Sequence, residues 1–185
     1  MAIWHVRGFA LCCQMNNGAC RKGNIMRKLT AEPIDAAAFE PYGQVLSDPS
    51  PDRRKNYAAQ LSNGRPGVDI NLAVTRAQPP EALPLEVPKM ERHPLSSQAF
   101  LPLDCDRYLV VVAKPTGIDG PPDPSTLRAF TVPGNTGINY NAGTWHCPLT
   151  SLDRPATFGL LMYMDGGPED EDWHTLSEPL LLNVV

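Results

Sequence analysis

A chain of 185 residues with a net charge of −4 has room for one domain and little for two. That balance offers no basic footprint for nucleic acid or an anionic membrane, and no apolar run approaches the roughly 20 residues that span a bilayer. Twenty scattered prolines exclude long helices, because an interior proline breaks the backbone ladder.

Residues 1–25 show no clean period of 2 or 3.6, and the apolar patch from Gly8 to Cys13 is too short for a signal peptide. We expect an atypical, poorly ordered N-terminal extension there, carrying His5, and a single domain over 26–185. The five cysteines are odd in number, and Cys12, Cys13 and Cys20 crowd into the extension. No CxxC occurs, so neither a disulfide framework nor a structural zinc is expected. The thiols read as reduced and the compartment as the cytoplasm.

Asp35 can cap a short helix of Ala36 to Phe39, closed by Pro41 and Gly43. Turns are expected at Ser47–Pro51 and Asn63–Gly67. Strands are expected over Asp69–Thr75, Lys89–Phe100, Arg107–Ala113, Leu127–Val132, Thr144–Leu149 and Thr157–Met164. A Pro- and Gly-rich loop runs from Asp119 to Ser125, and Gly166–Asp172 reads as a solvated acidic loop with Trp173 onward packing back. Short strands with turn signals between them predict an all-β barrel or sandwich with one or two short helices.

Two segments carry the chemistry. In Glu91-Arg-His93-Pro-Leu-Ser-Ser-Gln98 the strand period of two puts Glu91 and His93 on one face and Arg92 on the other. Pro94 must bend the strand or place it near an edge, and Gln98 can re-enter the same cavity after Ser96 and Ser97. In Asn141-Ala-Gly143-Thr-Trp-His146-Cys-Pro148-Leu149, Gly143 permits a tight turn before a strand that presents His146. Trp145 then lies on the opposite face, as core or cavity wall. Cys147 reads as a small apolar residue and His174 as surface. A carboxylate, an amide and two imidazoles in one pocket suit either a divalent metal or unaided acid–base work. Arg76 and Arg128 are the better-placed forks for a carboxylate ligand.

Five ordered segments resemble the ureidoglycolate lyase family of the cupin superfamily over about 140 residues. They are Phe39-Glu-Pro-Tyr-Gly43, Arg76-Ala-Gln-Pro79, Glu91 to Pro102, Leu127-Arg-Ala-Phe130, and Gly137-Ile-Asn-Tyr140 with Trp145-His146-Cys-Pro-Leu149. The resemblance implies a cupin-type jelly-roll barrel, a homodimer, and cleavage of ureidoglycolate, a small carboxylate, to glyoxylate and urea in the breakdown of allantoin-derived purine nitrogen. It implies a divalent metal, nickel being the usual suggestion, and no organic cofactor. His93, His146 and Glu91 are the expected catalytic groups. His93, Gln98 and His146 are the expected metal ligands. Gln98, Arg76, Arg128, Tyr140 and Trp145 are the expected substrate contacts.

Against the wider cupin pattern, Glu91 stands for the first His of His-x-His-x4-Glu and Gln98 for its Glu. Asn141 replaces the Pro of the second motif, while Gly143 and His146 are kept. A neutral Gln removes one negative ligand, which leaves a weakly held ion or a metal-free site as the expectation. Amidohydrolysis of the same substrate with release of ammonia, and a non-catalytic small-molecule-binding cupin, stay open at this point.

Overall fold

The computed structural model describes residues 27–184. The extension expected over 1–25 lies outside the described residues. Twelve strands follow in order: β1 Arg27–Pro33, β2 Gly43–Leu46, β3 Ile70–Ala77, β4 Leu85–Arg92, β5 Gln98–Asp104, β6 Arg107–Ala113, β7 Arg128–Pro133, β8 Gly137–Tyr140, β9 Trp145–His146, β10 Thr150–Ser151, β11 Ala156–Tyr163 and β12 Asp172–Val184. The one α-helix among them, α1 (Ala36–Phe39), is capped as expected, with the Asp35 carboxylate accepting from the Ala38 N–H at 2.9 Å. No helix among the described residues is long and apolar enough to cross a membrane.

Strand pairing makes two sheets. One has the order β10-β6-β7-β1-β12-β4-β9, and a further β9–β6 pairing closes six of its strands into a ring. The other is five-stranded, in the order β2-β8-β5-β11-β3. Strand β6 explains how both are held. All of Tyr108 to Ala113 is buried, and the alternation splits them between two cores. Tyr108, Val110 and Val112 face the five-stranded sheet and pack with Phe39, Phe100, Phe130, Ile138, Tyr140 and Phe158. Leu109, Val111 and Ala113 face into the ring and pack with Ala31, Met90, Ala129, Trp145 and Leu182. The buried Tyr108 hydroxyl donates to the Thr136 carbonyl at 2.9 Å, so its polar tip is satisfied.

Two sequence expectations need correction. The strand expected over Lys89–Phe100 is two strands, because β4 stops at Arg92 and Pro94 cannot donate to a ladder. The strand expected over Thr144–Leu149 shrinks to Trp145–His146, with Pro148 close behind. The chain from Trp173 packs back as expected, as part of a 13-residue strand, β12, that pairs with β4 and runs parallel to β1. Its bulge between Thr175 and Leu180 interrupts any clean alternation.

Candidate functional site

The chemistry-bearing residues meet between the two sheets, above the aromatic core. Glu91 of β4 is directly opposite His146 of β9, and His146 is opposite Val112 of β6. All three therefore point to the inter-sheet side. Gln98 opens β5 opposite Tyr140 of β8, which brings both to the same place from the other sheet. His93 lies one residue beyond β4, and its backbone carbonyl accepts from the Gly143 N–H at 2.8 Å. Gly143 has φ of +79°, the left-handed region that glycine enters freely. That turn is what swings the chain into β9 and aims His146 inward.

The imidazoles are oriented from behind. His146 Nδ1 is 2.9 Å from the Thr144 carbonyl and His93 Nδ1 is 2.6 Å from the Asp170 carbonyl. A carbonyl only accepts, so each Nδ1 carries the proton and each Nε2 presents a lone pair. Nε2 of His93 receives the Gln98 amide at 3.0 Å. Nε2 of His146 is buried with no partner, and the nearest Glu91 oxygen is 3.5 Å away, too far for a made hydrogen bond. Gln98 Oε1 is likewise buried and unpartnered. Tyr140 stacks on the His146 ring with centroids 4.3 Å apart, and the two histidine rings lie 5.6 Å apart.

Burial sets the electrostatics. His146, 2% exposed, is pushed down to about 3, chiefly by desolvation and then by neighbouring His93. Glu91 is pushed up to about 7, first by desolvation and then by Glu171, with Lys89 pulling the other way. At neutral pH the cluster thus holds a neutral imidazole beside a carboxyl whose ionisation burial opposes.

One ligand atom from each of Glu91, His93 and His146 lies within 4.8 Å of the others. Two imidazoles with bare Nε2 atoms, each donating its other N–H to a backbone carbonyl, and one carboxylate make a donor set that divalent transition metals accept. The orphaned Nε2 of His146 is the sharpest sign, since a buried acceptor left unmade is costly. Glu91, His93 and His146 fit such an ion. Gln98 would join with its unpartnered Oε1.

The other expected contacts lie elsewhere. Trp145 faces the ring core, as its alternation with His146 predicts, and Arg92 lies over its indole at 4.8 Å while pairing with Asp172 at 2.8 Å. Arg128 pairs with Glu32 at 2.8 Å on the exposed side of β7. Arg76 is exposed, opposite Thr157. Neither arginine joins the cluster. Asp170 was hidden by its context, because Gly166–Asp172 looks like a solvated acidic loop. It is in fact 5% exposed and contacts the His93 segment. No signal in that acidic run separates Asp170 from its solvated neighbours.

A six-strand ring packed on a five-stranded sheet, with a histidine–carboxylate cluster sunk between them, defines an all-β barrel protein with a buried polar site. Within that class the ureidoglycolate lyase family model matches residues 26–183, and the chain belongs to that family. It is 35% identical over 170 residues to a ureidoglycolate lyase of Azotobacter vinelandii, covering 85% of this chain and 99% of the relative. It is 35% identical over 168 residues to a ureidoglycolate lyase of Pseudomonas paraeruginosa, covering 85% and 97%. Among solved structures, a dTDP-6-deoxy-D-glucose-3,5-epimerase from Legionella pneumophila aligns with a TM-score of 0.42 at 12% identity, over 78% of this chain and 80% of that one.

Proposed function

We propose that this protein is a lyase that cleaves ureidoglycolate to glyoxylate and urea, as a single cupin-type domain over 26–185. The observation that carries the reading is the cluster of Glu91, His93 and His146 inside a chain of this family. Ureidoglycolate bears a hydroxyl, a carboxylate and a ureido nitrogen on one carbon. Elimination removes the hydroxyl proton as the C=O forms, breaks the C–N bond, and returns a proton to the departing urea nitrogen.

With no ion bound, Glu91, pushed up to about 7, is suited both to take the hydroxyl proton and to return one; as a ligand to an ion it would stay ionised and serve only as the base. His146 resists protonation, so its part is to offer a lone pair, and His93 does the same from the facing side. Gln98 orients the substrate through its amide, and Tyr140 walls the pocket. A divalent ion on Glu91, His93 and His146 would supply positive charge for the substrate carboxylate and lower the pKa of the hydroxyl. No lysine or arginine pairs with the cluster among the described residues, which favours that source of charge.

The test incubates purified protein with racemic ureidoglycolate, with and without chelator, and quantifies glyoxylate, urea and ammonia. Glyoxylate with equimolar urea supports the lyase, and its loss in chelator with recovery on added nickel or manganese supports the ion. Ammonia in place of urea would replace the lyase by an amidohydrolase. No enzyme-dependent glyoxylate under any condition would leave a binding protein.

A homodimer is part of the same reading. The outer face of the five-stranded sheet exposes Ile70, Leu72 and Val74 of β3 and Leu101 and Leu103 of β5, with Leu72 73% and Val74 71% accessible. An apolar outward face ending in an edge strand suits burial against a second copy. Wild type is expected to sediment as a dimer and Leu72→Asp/Val74→Asp as a monomer. A monomeric wild type, or a variant that stays dimeric, would sink this surface. The free thiols Cys105 and Cys147 fit a reducing compartment, the cytoplasm.

A further inference from the structure

We propose that Asp170 is a positioning residue of the site, which locks His93 in the one tautomer that turns a lone pair toward the cluster. The inference rests on the reading of His93 as part of the reacting centre. It concerns the loop between β11 and β12, which no sequence motif marks.

Asp170 ends a short 3-10 turn, Pro168–Asp170, just before β12. Burying a carboxylate is costly unless donors surround it. This one has three. The Leu95 N–H reaches Oδ1 at 2.6 Å, the Ser96 hydroxyl donates to Oδ2, and Arg65 Nη2 lies 3.3 Å from Oδ2. Arg65 is held in turn by the Tyr163 carbonyl at 3.0 Å and by Asp165 at 3.2 Å. The same Ser96 oxygen lies 2.7 Å from the Tyr163 carbonyl, so its single proton is shared between the two acceptors. The side chain of Asp170 is thus riveted to the segment that follows His93, and to the end of β11.

The consequence falls on its main chain. With the carboxylate fixed, the Asp170 carbonyl sits 2.6 Å from His93 Nδ1. That contact demands a proton on Nδ1. The opposite side agrees, because the Gln98 amide at 3.0 Å must donate to a bare Nε2. The other tautomer would set N–H against N–H at Gln98 and carry no lone pair into the cluster. Outer partners that hold an imidazole in this way typically change activity or metal affinity by about 10–100-fold when lost. A merely structural ion pair would change stability and leave the ring tautomer alone.

The test uses substrate-free protein with ring-15N-labelled histidine, with His93 assigned by a His93→Gln variant. In wild type, long-range 1H–15N spectra should show His93 protonated at Nδ1 and bare at Nε2. In Asp170→Ala the two nitrogens should move toward an averaged, mixed-tautomer position, and kcat should fall by about 10–100-fold with KM changed less than about threefold. Asp170→Asn keeps the shape and an acceptor, and should return most of the tautomer signal. Should Asp170→Ala fail to fold, Arg65→Met and Ser96→Ala each remove one anchor and are read by the same spectra.

A folded Asp170→Ala with the wild-type tautomer overturns the proposal, whether or not activity falls. If no variant with a weakened anchor shifts the tautomer, the proposal is overturned as well. The functional reading fails separately, if wild type cleaves no ureidoglycolate while the tautomer still depends on Asp170.

Discussion

His146→Gln protein is expected to fold and to turn over ureidoglycolate at least about a hundredfold more slowly than wild type, the scale on which a positioned catalytic group acts. The reason lies in what the fold spends on this side chain. Gly143 turns the chain, the Thr144 carbonyl fixes Nδ1, and Tyr140 stacks on the ring at 4.3 Å, all to leave Nε2 buried and unpartnered. Such an acceptor costs about 1–3 kcal/mol, and nothing in the barrel's packing returns it. His146→Ala adds a cavity beside Tyr140 and should lose stability too. The glutamine variant separates the two effects, because it keeps most of the volume. Titration with manganese or nickel gives a second readout, in which the variant should bind at least about tenfold more weakly. A folded His146→Gln protein within tenfold of the wild-type rate would remove His146 from the reaction.

The sequence made some of this visible and hid the rest, for identifiable reasons. Strand β6 was legible because three consecutive valines in a short apolar run, below helix length, favour a buried strand. The opposite face of Trp145 from His146 followed from the period of two, while the pairing of Glu91 with His146 depends on the register between β4 and β9, which no local window supplies. His93 joined them although it lies one residue beyond β4, where the Asp170 carbonyl meets its ring. The arginines lie outside the cluster, a placement the sequence could not show, because strand alternation says which face a side chain takes and nothing about which acid waits there. Glu32, nearly a hundred residues away, claims Arg128. Asp170 was hidden for a related reason. Burial of an acid depends on donors brought by Arg65, Leu95 and Ser96, three positions that no local window joins to it. Strand β12 escaped because its bulge breaks the alternation on which strand recognition depends.

The same burial that shapes the site predicts an inverted stability order for Glu91→Gln. In chelator at pH 8 the variant should be more stable than wild type, and at pH 4 the two should coincide. The sign follows from the direction of the shift. Glu91 is raised from 4.5 to about 7 in the folded protein, so the folded state holds its proton more tightly than the unfolded chain does. Below 4.5 both states are protonated and the residue contributes equally to each. Between 4.5 and about 7 the unfolded chain ionises while the folded protein does not, and stability drains away as pH rises. A shift of that size amounts to about 3 kcal/mol, or roughly 6–12 °C in Tm for a chain of this length. Glutamine mimics the neutral carboxyl at every pH, so the variant does not share the loss. His146, lowered to about 3, contributes an opposite loss as pH falls below 6.5, but it is present in both proteins and leaves their difference unchanged. Saturating divalent ion should reverse the order, because an ion binding the folded state adds stability in proportion to its affinity and needs the ionised Glu91. Tm measured from pH 4 to 9, with chelator and with manganese, checks both halves. Parallel curves for the two proteins in chelator would mean that Glu91 is not held in its neutral form by burial. An unreversed order in manganese would take the carboxylate out of the metal site and leave its proton as its only contribution to the chemistry.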